Sequence, residues 1–187
     1  MILPEKTMTT IMEGRKSLGF FEQMALVLLG SGLLVLSAKC MVPILNVPLT
    51  MQPLAAISLG LILGPRLAVL ATLAYIFEGA MGLPVYADSL SYPGLAVLTK
   101  PSAGCILSFP IAAFVAGSLA AKGWTESIIK TTLLFVLSYA IIYTFGTLYL
   151  IQFVGVELGL QTMAAWIPAD LAKIGVGVTA TRLLSTK

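Results

Sequence analysis

Asp170 and Lys173 stand three residues apart in an otherwise apolar segment, A-A-W-I-P-A-D-L-A-K from Ala164 to Lys173. That spacing puts a carboxylate and an ammonium on one face of a helix. Each would cost about 2.5 to 3.5 kcal/mol at the centre of an isolated helix in lipid, so the face that carries them must point into protein. Two readings fit. In one, the pair is an internal salt bridge; in the other, it is the polar end of a small-molecule pocket, where the carboxylate accepts hydrogen bonds and the ammonium donates them. The pocket reading also takes in Lys39, Lys100 and the aromatic, polar stretch V-Y-A-D-S-L-S-Y-P-G from Val85 to Gly94. Glu78 fits a headgroup anchor and a pocket residue equally well.

Other chemistry is excluded by residue type. The chain has no histidine and only two cysteines, Cys40 and Cys105. A zinc or iron site would lack ligands, and His-based acid-base catalysis is ruled out. Both cysteines read as core filler. There is no G-x-S-x-G nucleophile motif, and Asp170 beside Lys173 makes a better ion pair than a catalytic dyad, so no enzyme is expected. No G-x-x-x-x-G-K-[ST] phosphate loop is present, so ATP cannot be bound in that manner. A formal charge of +3, scattered along the chain, does not suggest nucleic acid. No cofactor is expected.

The elements that position these residues follow from composition. Of the 187 residues 58% are apolar and 10% charged, and mean hydropathy is +1.00. Soluble domains carry about 25% charged residues, so this surplus of apolar surface meets lipid. At roughly 20 residues per span, about six helices fit. The pattern predicts spans over 21–42, 49–63, 67–83, 104–121 and 128–154, and a sixth ending near Arg182. Gly64-Pro65-Arg66 makes a tight hairpin between the second and third, with glycine ending one helix and proline starting the next. Pro110 is expected to kink the fourth. Pro168 fits a first helical turn, where its missing N-H goes unneeded, so the sixth helix is expected to begin there with Asp170 favoured by the helix dipole. Residues 84–101 form the longest stretch without a span.

Charge sets orientation. Lys6, Arg15, Lys16, Arg66, Lys122, Lys130, Arg182 and Lys187 all fall on one side, which makes both termini cytosolic in a multi-pass protein of the cell membrane. Lys39, Lys100 and Lys173 fall toward the outside. Residues 1–20 read as a cytosolic arm and 21–187 as a single six-helix membrane domain. Small residues recur every fourth position at Ala56, Gly60 and Gly64, at Ala112, Ala116 and Ala120, and at Ala113, Gly117 and Ala121. Such stripes let helices approach closely within a bundle. The absence of an internal repeat disfavours an inverted-repeat transporter.

Several segments resemble the BioY family, the biotin-specific S components of energy-coupling factor (ECF) transporters. They are V-P-L-T-M-Q (Val47 to Gln52), L-G-L-I-L-G-P-R (Leu59 to Arg66), G-A-M-G-L-P-V-Y (Gly79 to Tyr86), G-L-A-V-L (Gly94 to Leu98), F-P-I-A-A-F-V-A-G (Phe109 to Gly117) and P-A-D-L-A-K (Pro168 to Lys173). The resemblance implies an all-α, six-transmembrane-helix S-component fold that binds biotin from the outside. The family's aspartate and lysine fall on Asp170 and Lys173, and its carboxylate-binding basic residue falls on Lys100. Biotin suits these groups: its ureido ring offers two N-H donors and a carbonyl, and its valerate tail is an anion. Tyr86, Tyr92 and Trp166 would wall the bicycle, Gln52 belongs to the matching run V-P-L-T-M-Q, and the Lys39 amine would reach the ligand. The first helix lacks a plain small-x-x-x-small motif, leaving Gly32 alone to dock a coupling subunit. Uptake would be energised by that subunit and a pair of ABC-type ATPases. The alternative is a self-sufficient secondary transporter or facilitator, distinguished by dependence on a proton gradient instead of ATP.

The charge count yields a direct expectation. Cysteines introduced at positions 6 and 187 should be shielded in intact cells from a membrane-impermeant thiol reagent, whereas one at position 89 should be labelled above the parent chain. Labelling at either end would reverse the orientation.

Overall fold

Gly64 is where the longest apolar run turns back on itself. The computed structural model describes residues 18–42, 48–87 and 94–185. Within them the helices are α1 (Phe20–Lys39), α2 (Gln52–Ala80), α3 (Ala103–Ala121), α4 (Ile128–Val154) and α5 (Val156–Ser185). α2 is continuous in hydrogen bonding except at Gly64, whose φ of 74° and ψ of 170° are not helical. Pro65 follows, with no N-H to bond backward. The break folds α2 into two arms: the Gln52 Nε2 donates to Tyr75 Oη at 2.7 Å, although 23 residues of straight helix would hold them roughly 35 Å apart. The expected hairpin therefore lies at Gly64–Pro65, inside α2.

Close packing of α2 on α3 fixes this turn. The Gly117 Cα faces the break, and a Cβ added there would stand 2.6 Å from Pro65 N and 2.8 Å from Gly60 O. The small-residue stripes are thus contacts inside the bundle, with Ala56, Ala112, Ala113 and Ala116 wholly buried. α3 passes through Pro110 as one helix. Large apolar side chains face outward instead, among them Phe21, Leu29 and Leu36 on α1 and Phe77 on α2. Four of the described helices, α1 to α4, are long and apolar enough to cross a membrane. Several buried hydroxyls spend their protons on their own helix: Thr72, Ser138, Thr162 and Thr181 each donate to the carbonyl four residues back.

Two expectations need correction. α5 does not begin near Pro168 but at Val156, directly after Gly155, whose φ of 80° ends α4. The apolar run before Pro168 is long enough to stay helical, and one missing N-H does not end a helix held by its neighbours. Asp170 is therefore deep in the helix, beyond reach of its dipole. Cys40 is also no core filler, since it is exposed at the end of α1. Among the described residues, four short elements went unforeseen, the fourth a 3-10 turn over Trp124–Glu126. Met41–Val42 (β1) pairs antiparallel with Leu49–Thr50 (β2), and a 3-10 turn covers Gly94–Thr99. The arm expected over residues 1–20 lies almost wholly outside the described residues.

The packing generates a contrast. Gly117→Ala must push α3 away from the Gly64 turn, at an overpacking cost of about 1 to 3 kcal/mol. Gly32→Ala meets nothing within 4 Å. Thermal unfolding in detergent should show a lowered midpoint for the first and an unchanged midpoint for the second.

Candidate functional site

α5 presents one buried stripe, Met163, Trp166, Asp170 and Lys173, at the three- and four-residue spacing of a helix face. Asp170 and Lys173 are 4% and 7% exposed. The Lys173 Nζ donates to Asp170 Oδ1 at 2.7 Å and to the Thr50 carbonyl at 2.8 Å. The β1–β2 pairing holds Thr50 in place for that second bond. From α4, the Tyr143 hydroxyl donates to Asp170 Oδ2 at 2.7 Å. Each carboxylate oxygen thus has one protein donor. A carboxylate offers about four lone-pair sites, so about half its capacity to accept remains.

That capacity borders a cavity of about 680 Å³, counted to its open mouth. Small-molecule sites are mostly apolar with a few polar groups. Among the described residues, Asp170 is the charged group on the lining; Ile106, Phe109, Ile142 and Met163 supply apolar walls, and Tyr86, Trp166 and Tyr143 aromatic ones. Tyr86 is fixed at three points. Its hydroxyl donates to the Ile76 carbonyl at 2.8 Å, its ring meets Tyr75 edge-on at 5.3 Å, and it lies against Gly79, where a Cβ would overlap the ring. Gln52, also on the lining, is held by Tyr75. Among the described residues, the buried side-chain nitrogen and oxygen atoms without a hydrogen-bond partner are Tyr139 Oη and Trp166 Nε1. No group of acidic residues and cysteines able to hold a metal ion occurs among the described residues.

Of the residues singled out from sequence, the structure brings Asp170, Tyr86, Gln52 and Trp166 onto the cavity. Lys173 stands behind Asp170 as its partner. Lys100 is not on the lining, although Val97 and Ser102 on either side of it are. The Lys39 amine does not line the cavity either. It donates to the Pro84 and Tyr86 carbonyls at 2.9 and 2.8 Å. Glu78 accepts from Ser31 Oγ at 2.6 Å and ties α1 to α2. Tyr92 lies outside the described residues. Sequence reasoning missed Tyr143; the signal available was Tyr139 and Tyr143, two hydroxyls four residues apart in a helix without charge beyond Lys130. It also missed that Cys105 lines the cavity.

The comparisons with known proteins come down on the same side. The model of the BioY family matches residues 8–186. The chain belongs to the BioY family. It is 38% identical over 158 residues to the "Probable biotin transporter BioY" of Pyrococcus horikoshii, covering 84% of this chain and 92% of that relative. It is 29% identical over 154 residues to the "Biotin transporter BioY2" of Lactococcus lactis subsp. cremoris, covering 81% of each. The fold is similar to that in a crystal structure of the S-component for biotin from an ECF-type ABC transporter, with a TM-score of 0.77 over 89% of this chain and 92% of the other. Identity there is 20%, so that likeness speaks for fold alone.

The ion pair itself can be tested without ligand. Lys173→Met leaves the Asp170 carboxylate with Tyr143 but no countercharge, and breaking a buried pair this way costs about 3 to 5 kcal/mol. The double change Asp170→Leu with Lys173→Met removes both charges. Its unfolding midpoint in detergent should lie well above that of the single variant, and equal midpoints would mean the pair is not coupled.

Proposed function

We propose that this chain is the biotin-recognising S component of an ECF-type transporter, a membrane transport subunit and not an enzyme. One observation carries the reading. A buried carboxylate, Asp170, retains accepting capacity at the edge of an apolar, aromatic-walled cavity. The ureido ring of biotin offers two N-H donors to such a group, and its fused bicycle suits walls such as Tyr86, Phe109 and Trp166. Lys173 holds Asp170 in place. Gln52 sits on the same lining and braces Tyr75 behind the Tyr86 ring. The valerate carboxylate would run to the mouth, where Lys100 lies between the lining residues Val97 and Ser102.

In this reading there are six spans, counting the two arms of α2 separately, in a single membrane domain over residues 21–187. The basic residues put both termini in the cytosol and the cavity mouth outside. Lacking a phosphate loop, the chain depends on a coupling subunit and ABC-type ATPases for concentrative uptake. The family membership and the relatives named as biotin transporters support biotin as the cargo.

Titration of purified protein with biotin tests the site. The parent should bind in the submicromolar range, whereas the Asp170→Leu, Lys173→Met double variant should elute as a folded species yet bind roughly two to four powers of ten more weakly, because hydrogen bonds to charged groups are lost. Unchanged affinity would remove the pair from the site. Lys100→Ala should weaken biotin more than biotinamide, whose tail is uncharged, and equal losses would remove Lys100 as the carboxylate partner.

A further inference from the structure

The outer end of α1 is a junction for both sides of the cavity mouth. By chain continuity it leads, one residue after Lys39 and Cys40, into β1, which pairs with the β2 strand that carries the lining residues Leu49 and Thr50. By the Lys39 side chain it reaches the segment after α2, where Tyr86 and Ala87 line the other side. Lys39 Nζ donates to two carbonyls there, of Pro84 and Tyr86, across 45 and 47 residues of sequence. An extended side chain on the last turn of a helix is thus spent on main-chain oxygens of a turn. Tyr86 is 1% exposed and its ring is already fixed by Ile76, Tyr75 and Gly79. The Lys39 amine restrains the Tyr86 backbone and that of Pro84.

We propose that Lys39 is a latch and a positioning residue. It touches no ligand, but it clips the Pro84–Tyr86 backbone to the end of α1, and so sets how readily the cavity mouth opens and how fast ligand exchanges. Charge-assisted bonds of this kind are the strong ones. Loss of two of them favours the open mouth by about tenfold or more.

Cys105 provides a reporter that needs no ligand, since it lines the cavity. In a Cys40→Ser background, the rate at which the impermeant reagent sulfonatoethyl methanethiosulfonate modifies Cys105 reads mouth opening. Lys39→Met should raise that rate about tenfold, while Lys39→Arg, which can still donate to both carbonyls, should stay near the parent. Lys39→Gln, too short to span, should behave like the methionine variant and serves where that variant does not fold. A merely structural lysine would lower the unfolding midpoint without this split between Arg and the neutral variants. The second readout rests on the proposed ligand: biotin and biotinamide should dissociate faster by the same factor from Lys39→Met. Labelling at the parent rate in the neutral variants, or equally fast labelling in Lys39→Arg, overturns the latch. A loss confined to biotin over biotinamide overturns it too, making Lys39 a ligand contact. Absence of biotin binding in the parent would instead overturn the ligand assignment, and Cys105 labelling would still decide the latch.

Discussion

A charge buried among apolar helices must be compensated on the spot, and the Asp170 carboxylate sets the terms for its surroundings. Two donors meet it, Lys173 from one turn along α5 and Tyr143 from α4. Either alone would leave an oxygen without a protein donor. The pairing therefore fixes the rotation of α5 against α4, because only one register points Asp170 and Lys173 inward and at Tyr143. Lys173 brings its own requirement, since an ammonium with one carboxylate contact still has protons to place. The Thr50 carbonyl takes one of them, which anchors the short β hairpin over the pair. A hairpin of two-residue strands has little stability by itself. Its position is borrowed from the buried charge beneath it.

The long elements were legible in the sequence because lipid enforces a coarse rule. A span must be apolar for its whole length, so its ends show as the first polar residues, and α4 was bounded from sequence as Ile128 to Val154. The Gly64–Pro65 break was legible for the same reason that it exists: glycine alone reaches that φ cheaply, and proline has no donor to lose. What failed was local chemistry read without its neighbours. Pro168 looked like a helix start, yet the carbonyl it leaves unbonded was not enough to end α5, whose flanks pack on both sides. The β pairing left no trace because two residues cannot show an alternating pattern. The positions of Lys39 and Lys100 could not be read at all, since helix periodicity says which face a lysine is on but not where four methylenes will carry its amine.

Asp170 shows the difference between locating a site and explaining it. Its place was evident from the expense of a carboxylate in an apolar run. Its partners were only half evident: Lys173 follows from spacing, whereas Tyr143 depends on which helix packs beside α5. A tyrosine in an apolar span reads as one more aromatic until the structure puts its hydroxyl 2.7 Å from a carboxylate oxygen.

The disposition of polar atoms separates scaffold from site. Through the bundle, buried hydroxyls such as Thr72, Ser138, Thr162 and Thr181 satisfy themselves on their own helices, so they ask nothing of a neighbour and packing alone decides how those faces meet. Around the cavity the rule changes. Gln52 reaches Tyr75, Tyr86 reaches Ile76, Tyr143 reaches Asp170 and Lys173 reaches Thr50, every one a bond between separate segments. Bonds between segments have direction and length, and they hold a wall where apolar contact would let it slide. The buried polar atoms left without partners, Tyr139 Oη and Trp166 Nε1, each lie one helical turn from a member of the Tyr143–Asp170 bond. Unpaired buried donors cost a fold about 1 to 3 kcal/mol. Trp166 lies on the cavity lining and Tyr139 does not, so of the two it is the indole N-H that something inside the cavity could complete.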